Sequence, residues 1–352
     1  MTSNNKILIK NVYHMLVYVL PALAGNGYTR VASEDFDHIH DLMASILITG
    51  LSHLYKRGLY HDYISVCDNL TTMRGQLNIS ETIRNKILLR HKLACNFDEF
   101  SDNNINNQII KTTLIELLQS ADVSTEHRNT IKKLLRPLWH INTICPSAIN
   151  WSGTVCKHHH KNSEYSALLT ICKFVLNDML HTTASGTNTV LNTHDLLNDT
   201  LATIYQKFVL SYYQCHYPHL HPYAPYIRWA LSSSTAPEYL PGMHTDVVLT
   251  NGLKTLIIDT KFYKNILSKH YDKDILNSGN IYQIITYVLN MATYKPNVSG
   301  MLLYAQTDRN CPPPHKHQIL NHGIAINTLD LNQDFIQIQH QLNTIADTYF
   351  SN

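Results

Sequence analysis

Apolar positions along this chain follow two periods, one near 3.6 residues and one of two, with no internal repeat and no long low-complexity tract. Residues 6–10 read as a short strand, leading into a helix with apolar positions Val12, Leu16, Val19 and Leu20. A stronger helix is predicted over 35–56, where Leu42, Ile46, Leu47, Leu51 and Leu54 share one face and Arg57-Gly58 closes it. Between 60 and 100 the runs become short and strand-like around a turn at Met73-Arg74-Gly75-Gln76. Helices are predicted at 104–119 and 126–138. Residues 145–162, with Pro146, Gly153 and the run His158-His159-His160, are the best linker candidate. Two more helices follow, at 163–180 and 195–215, separated by the polar stretch 182–192. From Pro222 onward the pattern predicts strands, one helix, and further strands. The expected fold is mixed α/β (α+β): an N-terminal helix-and-strand region over 1–150, a helical connector over 151–200, and a C-terminal α/β domain over 201–352.

Composition narrows the function classes. The 352 residues carry 28 Lys+Arg against 26 Asp+Glu, a formal charge of +2, and only 15% are charged. That argues against a polyanion-coating protein and against a disordered acidic chain, while leaving room for a nucleic-acid enzyme with a local basic groove. No stretch reaches about 18 consecutive apolar residues, so no membrane span is expected, and the N-terminus lacks the order of a signal peptide. The seven cysteines are scattered without CxxC spacing, which fits reduced thiols and a cytoplasmic location. Three consecutive histidines cannot all face one ion, so 158–160 reads as a solvated loop.

The chemistry concentrates in 244–261. Asn251-Gly252, flanked by β-branched and aliphatic runs, is a strong hairpin signal. A two-residue loop would set Thr250 against Leu253, Asp246 against Ile257 and His244 against Asp259. Side chains alternate, so Ile257, Asp259 and Lys261 share one face with Asp246 and His244, while Val247, Leu256 and Ile258 take the other. Asp246 and Asp259 then become diagonal neighbours within reach of one cation. Carboxylates beside a core cost several kcal/mol apiece, on the order of a lost buried pair, unless they are paired or bind a metal. All-oxygen ligation suits magnesium or manganese. Lys261 is placed to orient or help deprotonate a water and to offset phosphate charge. The plain alternative is a surface hairpin with an Asp–Lys salt bridge, since Asp-x-Lys alone is a common tripeptide. Downstream, a helix over 280–293 sets Gln283 and Tyr287 one turn apart on the same face. Lys264, Lys269, His270 and Lys273 precede it, a basic stretch able to meet a phosphate backbone.

An Asp on one strand, Asp-x-Lys on the next and Gln-x-x-x-Tyr on the following helix resembles the PD-(D/E)xK nuclease superfamily, in particular its RecB-type branch. The resemblance implies that Asp246 and Asp259 hold the metal with the backbone carbonyl of Thr260, that Lys261 assists the attacking water, and that Gln283 and Tyr287 line the substrate side. An acidic residue on the preceding helix is common in that branch; here that helix offers Gln206.

The remaining motifs resemble the McrC family, the nuclease subunit of modified-cytosine restriction systems. They are Ile9-Lys10-Asn11-Val12-Tyr13-His14-Met15-Leu16, Tyr55-Lys56-Arg57-Gly58-Leu59, Met73-Arg74-Gly75-Gln76-Leu77, Thr82-Ile83-Arg84, Leu201-x-x-x-Tyr205-Gln206-Lys207-Phe208, and Asp259-Thr260-Lys261-Phe262-Tyr263-Lys264. The resemblance implies an N-terminal region that inserts into the hexameric ring of a separate AAA+ GTPase of the McrB type and stimulates it, with a C-terminal PD-(D/E)xK domain that cuts double-stranded, methylated-cytosine DNA. Arg57, Arg74 and Arg84 are the partner-contact candidates. The chain has no Gly-x-x-x-x-Gly-Lys-[Ser/Thr] loop, so it is not expected to bind a nucleotide itself. The competing expectation is a non-catalytic DNA-binding or scaffolding subunit with a nuclease-like fold.

Overall fold

The computed structural model describes residues 3–84, 91–151, 163–183, 193–231, 239–263, 266–270, 273–306 and 314–351. The His158–His160 run lies outside them. The chain divides into two compact units, one formed by Met1–Leu42 together with His181–Asn352, the other by Met43–Leu180. Among the described residues no helix is long and apolar enough to cross a membrane.

The first unit contains α1 (Ser3–Val19), α2 (Thr29–Ser33), the whole of a helix that begins at Thr193, and a five-stranded sheet. With α3 (Ile39–Arg57), α4 (Ile79–Arg84), α5 (Ile105–Gln119), α6 (Thr125–Leu135) and α7 (Ser163–Thr183) counted along the chain, that helix is α8 (Thr193–His216). Two short strands, β4 (Tyr226–Ile227) and β5 (Met243–His244), pair antiparallel, and the sheet uses β6 (Val247–Thr250), β7 (Thr255–Lys261), β10 (Val298–Gln306), β11 (His315–Ile319) and β12 (His322–Asp330), in the order β11-β12-β10-β7-β6. The three central strands β7, β10 and β12 are parallel, and β6 and β11 close the edges antiparallel. Six of the seven residues of β7 are buried, the near-continuous apolar run expected of a strand covered on both faces.

Helix α9 (Ser278–Met291) covers one face, where Ile284, Tyr287, Val288 and Met291 join Val248, Ile257, Leu302, Tyr304, Ile324 and Ile326 in one core. Gly300 lets it approach: a Cβ there would stand 2.6 Å from Ile284 Cγ1 and 2.8 Å from Val288 Cγ2. On the other face α8 donates from Tyr205 OH to the Leu303 carbonyl, and α10 (Phe335–Phe350) donates from Tyr349 OH to the Thr255 carbonyl. Tyr213 OH of α8 binds the Leu342 carbonyl, tying those two helices together. Helix α1 belongs to this unit. Asn11 Nδ2 donates to the carbonyls of Leu331 and Gln333, His14 stacks on Phe335, and Tyr18 packs on Phe208 and Tyr212.

The second unit holds a three-stranded antiparallel sheet, β1 (Asp62–Leu70), β2 (Gln76–Leu77) and β3 (Leu93–Ser101), in the order β1-β3-β2. The turn before β2 uses Gly75 at φ +66°, where an added Cβ would run into the Asn96 carbonyl and Phe97. Helix α5 starts on Asn104, whose side chain accepts from the Asn106 and Asn107 amides.

Four expectations change. Residues 6–10 are helix, because Ile9, Val12, Tyr13 and Leu16 form a buried helical stripe. Residues 335–350 form a helix where strands were expected. The unit borders fall near 42 and 180 rather than 150 and 200, because α1 packs with the C-terminal sheet and α7 lies mostly with 43–180. The hairpin loop has four residues, so Thr250 pairs with Thr255, Val248 with Ile257 and Val247 with Ile258. Asn251 causes this: its Oδ1 accepts from the Leu253 and Lys254 amides, and its own amide donates to the Lys254 carbonyl. A slip of two residues preserves the faces, so the carboxylates stay on the same side.

Candidate active site

β7 runs Thr-Leu-Ile-Ile-Asp-Thr-Lys, and its last turns emerge at the carboxyl end of the parallel strands, where such sheets place their ligands. Asp259 is buried there at 2% exposure, inside a strand whose neighbours are aliphatic. Asp246, one residue before β6, reaches the same place. Its Oδ2 accepts from both the amide and the hydroxyl of Thr260, each at 2.7 Å, and its Oδ1 accepts from Gln206 Nε2 at 2.6 Å. The two carboxylates are therefore held differently. Asp246 is fixed by three donors. Asp259 Oδ2 lies 2.8 Å from Lys261 Nζ, an ion pair by distance, but the directed hydrogen bond of that ammonium goes to Gln283 Oε1 at 2.9 Å. The buried Asp259 Oδ2 is left without a hydrogen-bond donor of proper geometry.

Gln283 Nε2 in turn donates to Tyr287 OH at 2.8 Å. The structure thus brings Asp246, Asp259, Lys261, Gln283 and Tyr287 into one connected set, with α9 supplying the last two one turn apart. Burial pushes the Asp259 carboxyl up to about 6, with the charge of Asp246 adding to it and Lys261 opposing. Burial also raises Asp246, against the two Thr260 hydrogen bonds and Lys261. For Lys261 burial pulls downward, but Asp259 and Asp246 outweigh it and the pKa lies above the ordinary lysine value. Burial raises Tyr287 as well.

The residues fit a hard divalent cation. The buried Asp259 Oδ2 has only the Lys261 ammonium beside it, Asp246 is held by the two Thr260 donors, and the candidate ligand atoms are all oxygen. Among the described residues no group of three or more His, Cys, Asp and Glu stands together as a metal site. The candidate ligands thus remain Asp246, Asp259 and the Thr260 carbonyl.

Sequence reasoning missed several neighbours. It noted Gln206 only as a departure from the pattern, whereas the amide binds Asp246 directly; its place one residue after fully buried Tyr205 on α8 was the available signal. Asn280, buried one turn before Gln283, donates to Tyr304 OH and accepts from Tyr263 OH, so a second polar string runs beside Lys261. Lys264 lies outside the described residues. Lys269 and Lys273 fall on a two-stranded ribbon, β8 (Leu267–His270) and β9 (Lys273–Leu276), paired with Asp274 and His270.

The three arginine candidates are in the second unit. Arg57 Nη1 donates to Glu164 Oε2 at 3.1 Å, and Glu164 Oε1 lies 2.9 Å from His53 Nδ1. Arg74 sits with its guanidinium carbon 4.2 Å over the Phe97 ring, and Arg84 is exposed at the end of α4.

Residues 5–305 match the family described as McrBC 5-methylcytosine restriction system component. The chain belongs to that family. It is 26% identical over 350 residues to the type IV methyl-directed restriction enzyme EcoKMcrBC of Escherichia coli K12, covering 97% of this chain and 98% of the relative. Among solved structures it is similar to a chain of the Thermococcus gammatolerans assembly of McrB AAA+ hexamers with bound McrC. That match has TM-score 0.46 and 13% identity, over 95% of this chain and 76% of the other. A chain of the McrBC complex of the same organism matches at TM-score 0.35 and 14% identity, over 50% and 58%. Sequence, rather than superposition, carries the relationship to this McrBC family.

Proposed function

We propose that this McrBC-family chain is the DNA-cleaving subunit of its restriction system. It hydrolyses phosphodiesters in methylated-cytosine DNA with magnesium or manganese, and stimulates the NTPase of a McrB-like AAA+ ring. The observation that supports the reading most is the convergence of Asp246, Asp259 and Lys261, linked through Gln283 to Tyr287, at the carboxyl end of a buried parallel strand. Two carboxylates and an ammonium in a dry sheet cost stability, and a reaction is the reason to keep them.

Asp246, Asp259 and the Thr260 carbonyl would hold the metal, which supplies Lewis-acid polarisation of the phosphate and acidification of a water. In the metal-free chain Asp259 and Asp246 hold the Lys261 pKa above the ordinary lysine value against burial, and its ammonium is placed to stabilise charge developing on the phosphate. Gln283 fixes that ammonium by accepting from it, and Tyr287 fixes Gln283. Thr260 and Gln206 orient Asp246.

The partner role falls to 43–180. Tyr63, Met73, Ile83 and Phe100 are between 61% and 70% exposed there, apolar surface that fits a protein partner better than water. Reconstitution with a McrB-like NTPase, methylated duplex and magnesium tests the reading. Cleavage by the wild-type pair and none by the Asp259→Ala pair is expected; cleavage at the wild-type rate by that variant overturns it.

A further inference from the structure

We infer that the solvent face of α6 and the turn after it form a second DNA-docking surface, a phosphate-binding patch of Lys132, Lys133 and Arg136 edged by Trp139. The inference rests on the nuclease reading for its choice of ligand, but uses residues remote in sequence from the catalytic set. Residues 125–140 hold four basic side chains, Arg128, Lys132, Lys133 and Arg136, against Glu126 alone, a net +3. The whole chain is +2, so everything outside this segment is net −1. Within 125–140 basic side chains outnumber acidic ones four to one, so α6 and its end present a positive surface to a polyanion.

Local structure turns that charge outward. Ile131 is fully buried and fixes the inner face of α6, and Lys132, Lys133 and Arg136 are exposed. After α6 the chain continues in tight turns: the amides of Leu138, Trp139 and Ile141 donate to the carbonyls of Leu135, Arg136 and Leu138. These turns bury Leu138 and Ile141 at 1% and leave Trp139, between them, 80% exposed. Lys111 Nζ donates to the carbonyls of both Trp139 and Ile141, so the backbone beneath the exposed indole is pinned from below. His140 Nε2, bound to Asp102 Oδ2 at 2.9 Å, holds the next position. A tryptophan held out of the core beside three cations is the pairing that tracks a phosphate backbone and lays a ring on a sugar or an opened base. Arg136 and Trp139 would also suit a protein interface, whereas Lys132 and Lys133, of a type depleted there, favour the polyanion.

The test uses the full chain carrying Asp259→Ala, so that no cleavage intervenes, with a fluorescein-labelled duplex of about 30 base pairs read by anisotropy as KCl is varied. Each lost phosphate contact lowers the log–log salt slope by roughly 0.9. Lys132→Gln, Lys133→Gln and Arg136→Gln together should flatten the slope by roughly 2–3. That shrinks the affinity loss between about 50 and 200 mM salt by roughly 40-fold. On the same duplex carrying a short single-stranded tail, Trp139→Ala should weaken binding about fivefold or more with the slope unchanged, and Trp139→Phe should restore most of it. All positions are exposed, and a thermal melt matching the parent shows that the variants fold. An unchanged slope in the triple variant overturns the proposal. So does parental DNA binding together with lost stimulation of the NTPase partner, which would assign the face to a protein instead. Failure of the wild-type complex to cut DNA would sink the nuclease reading while leaving the binding result standing.

Discussion

The two sheets of this molecule solve opposite problems. In the five-stranded sheet, β7 is buried from Thr255 to Thr260, with α9 on one face and α8 and α10 on the other. In the three-stranded sheet, β1 alternates half-buried and exposed positions, and Tyr63 and Phe100, paired across strands, face water. The first sheet is dry enough to make two carboxylates and an ammonium expensive, and it keeps them. The second spends apolar side chains on solvent. Each departs from the arrangement that would be most stable for the isolated chain, as the proposed division into a cleaving and a contacting unit would require.

The largest effect that would separate them is on cleavage. Asp259→Ala and Lys261→Ala each remove charge from the dry sheet and should lower DNA cleavage by roughly 10²–10³-fold or more, while partner NTPase stimulation, measured as steady-state nucleotide hydrolysis, stays at the wild-type level. Loss of both activities together would erase the division of labour. Gln283→Ala should fall less far, because it acts through the position of Lys261.

The reciprocal experiment is Gly75→Ala. A side chain there meets the Asn96 carbonyl and Phe97 while φ is +66°, so the turn must shift and Arg74 must leave the Phe97 ring. A cost of about 1–3 kcal/mol in the thermal melt is expected, with NTPase stimulation reduced and any rise in melting temperature on adding magnesium unchanged from the wild type.

Gly300→Ala sharpens the other side. Its Cβ would push on Ile284 and Val288, costing about 1–3 kcal/mol and tilting the helix that carries Gln283 and Tyr287. Melting and cleavage should fall together.

The effect that unfolds most gradually is a pH dependence. Because burial raises Asp259 to about 6 in the folded chain, its contribution to stability is complete below the unfolded carboxyl pKa near 4 and is lost as pH rises through about 6. The raised Lys261 stays protonated across that window and adds no slope. The metal-free wild type should therefore lose up to roughly 3 kcal/mol between about pH 4 and 7 that Asp259→Asn does not lose. Differential scanning calorimetry of the pair checks it. Magnesium at pH 7.5 should raise the wild-type melting temperature and leave the Asn variant unmoved; equal shifts in both would detach Asp259 from the metal.

Much of this was legible in the residues, and the exceptions have physical causes. The face that gathers Asp246, Asp259 and Lys261 was readable because alternation fixes faces even when register slips, and the slip of two came from an Asn251 side chain capping a longer loop. Gln283 and Tyr287 were readable because helical spacing is local. Gln206 was not, because its bond to Asp246 joins residues 40 apart. The segment 6–10 resembles a strand in its alternation and becomes helix only because the buried stripe continues through Leu16. Phe335-Ile-Gln-Ile-Gln misleads in the same way, and packing against Tyr212 and Tyr213 decides for helix. The discontinuous unit was invisible to any local pattern, since Asn11 finds its partners 320 and 322 residues away.

That last separation has a consequence for timing. A ribosome adding about 5–20 residues per second needs roughly 16–64 s to pass from Asn11 to Leu331. Until then α1 has no carbonyls for Asn11 to bind and no Phe335 ring for His14 to cover. Residues 43–180 can collapse in the meantime, being contiguous. The unit to which we assign partner contact is thus free to mature first, and the unit to which we assign DNA cleavage is completed only after Leu331 and Phe335 have been made. An interrupted translation product would be a docking module without a blade.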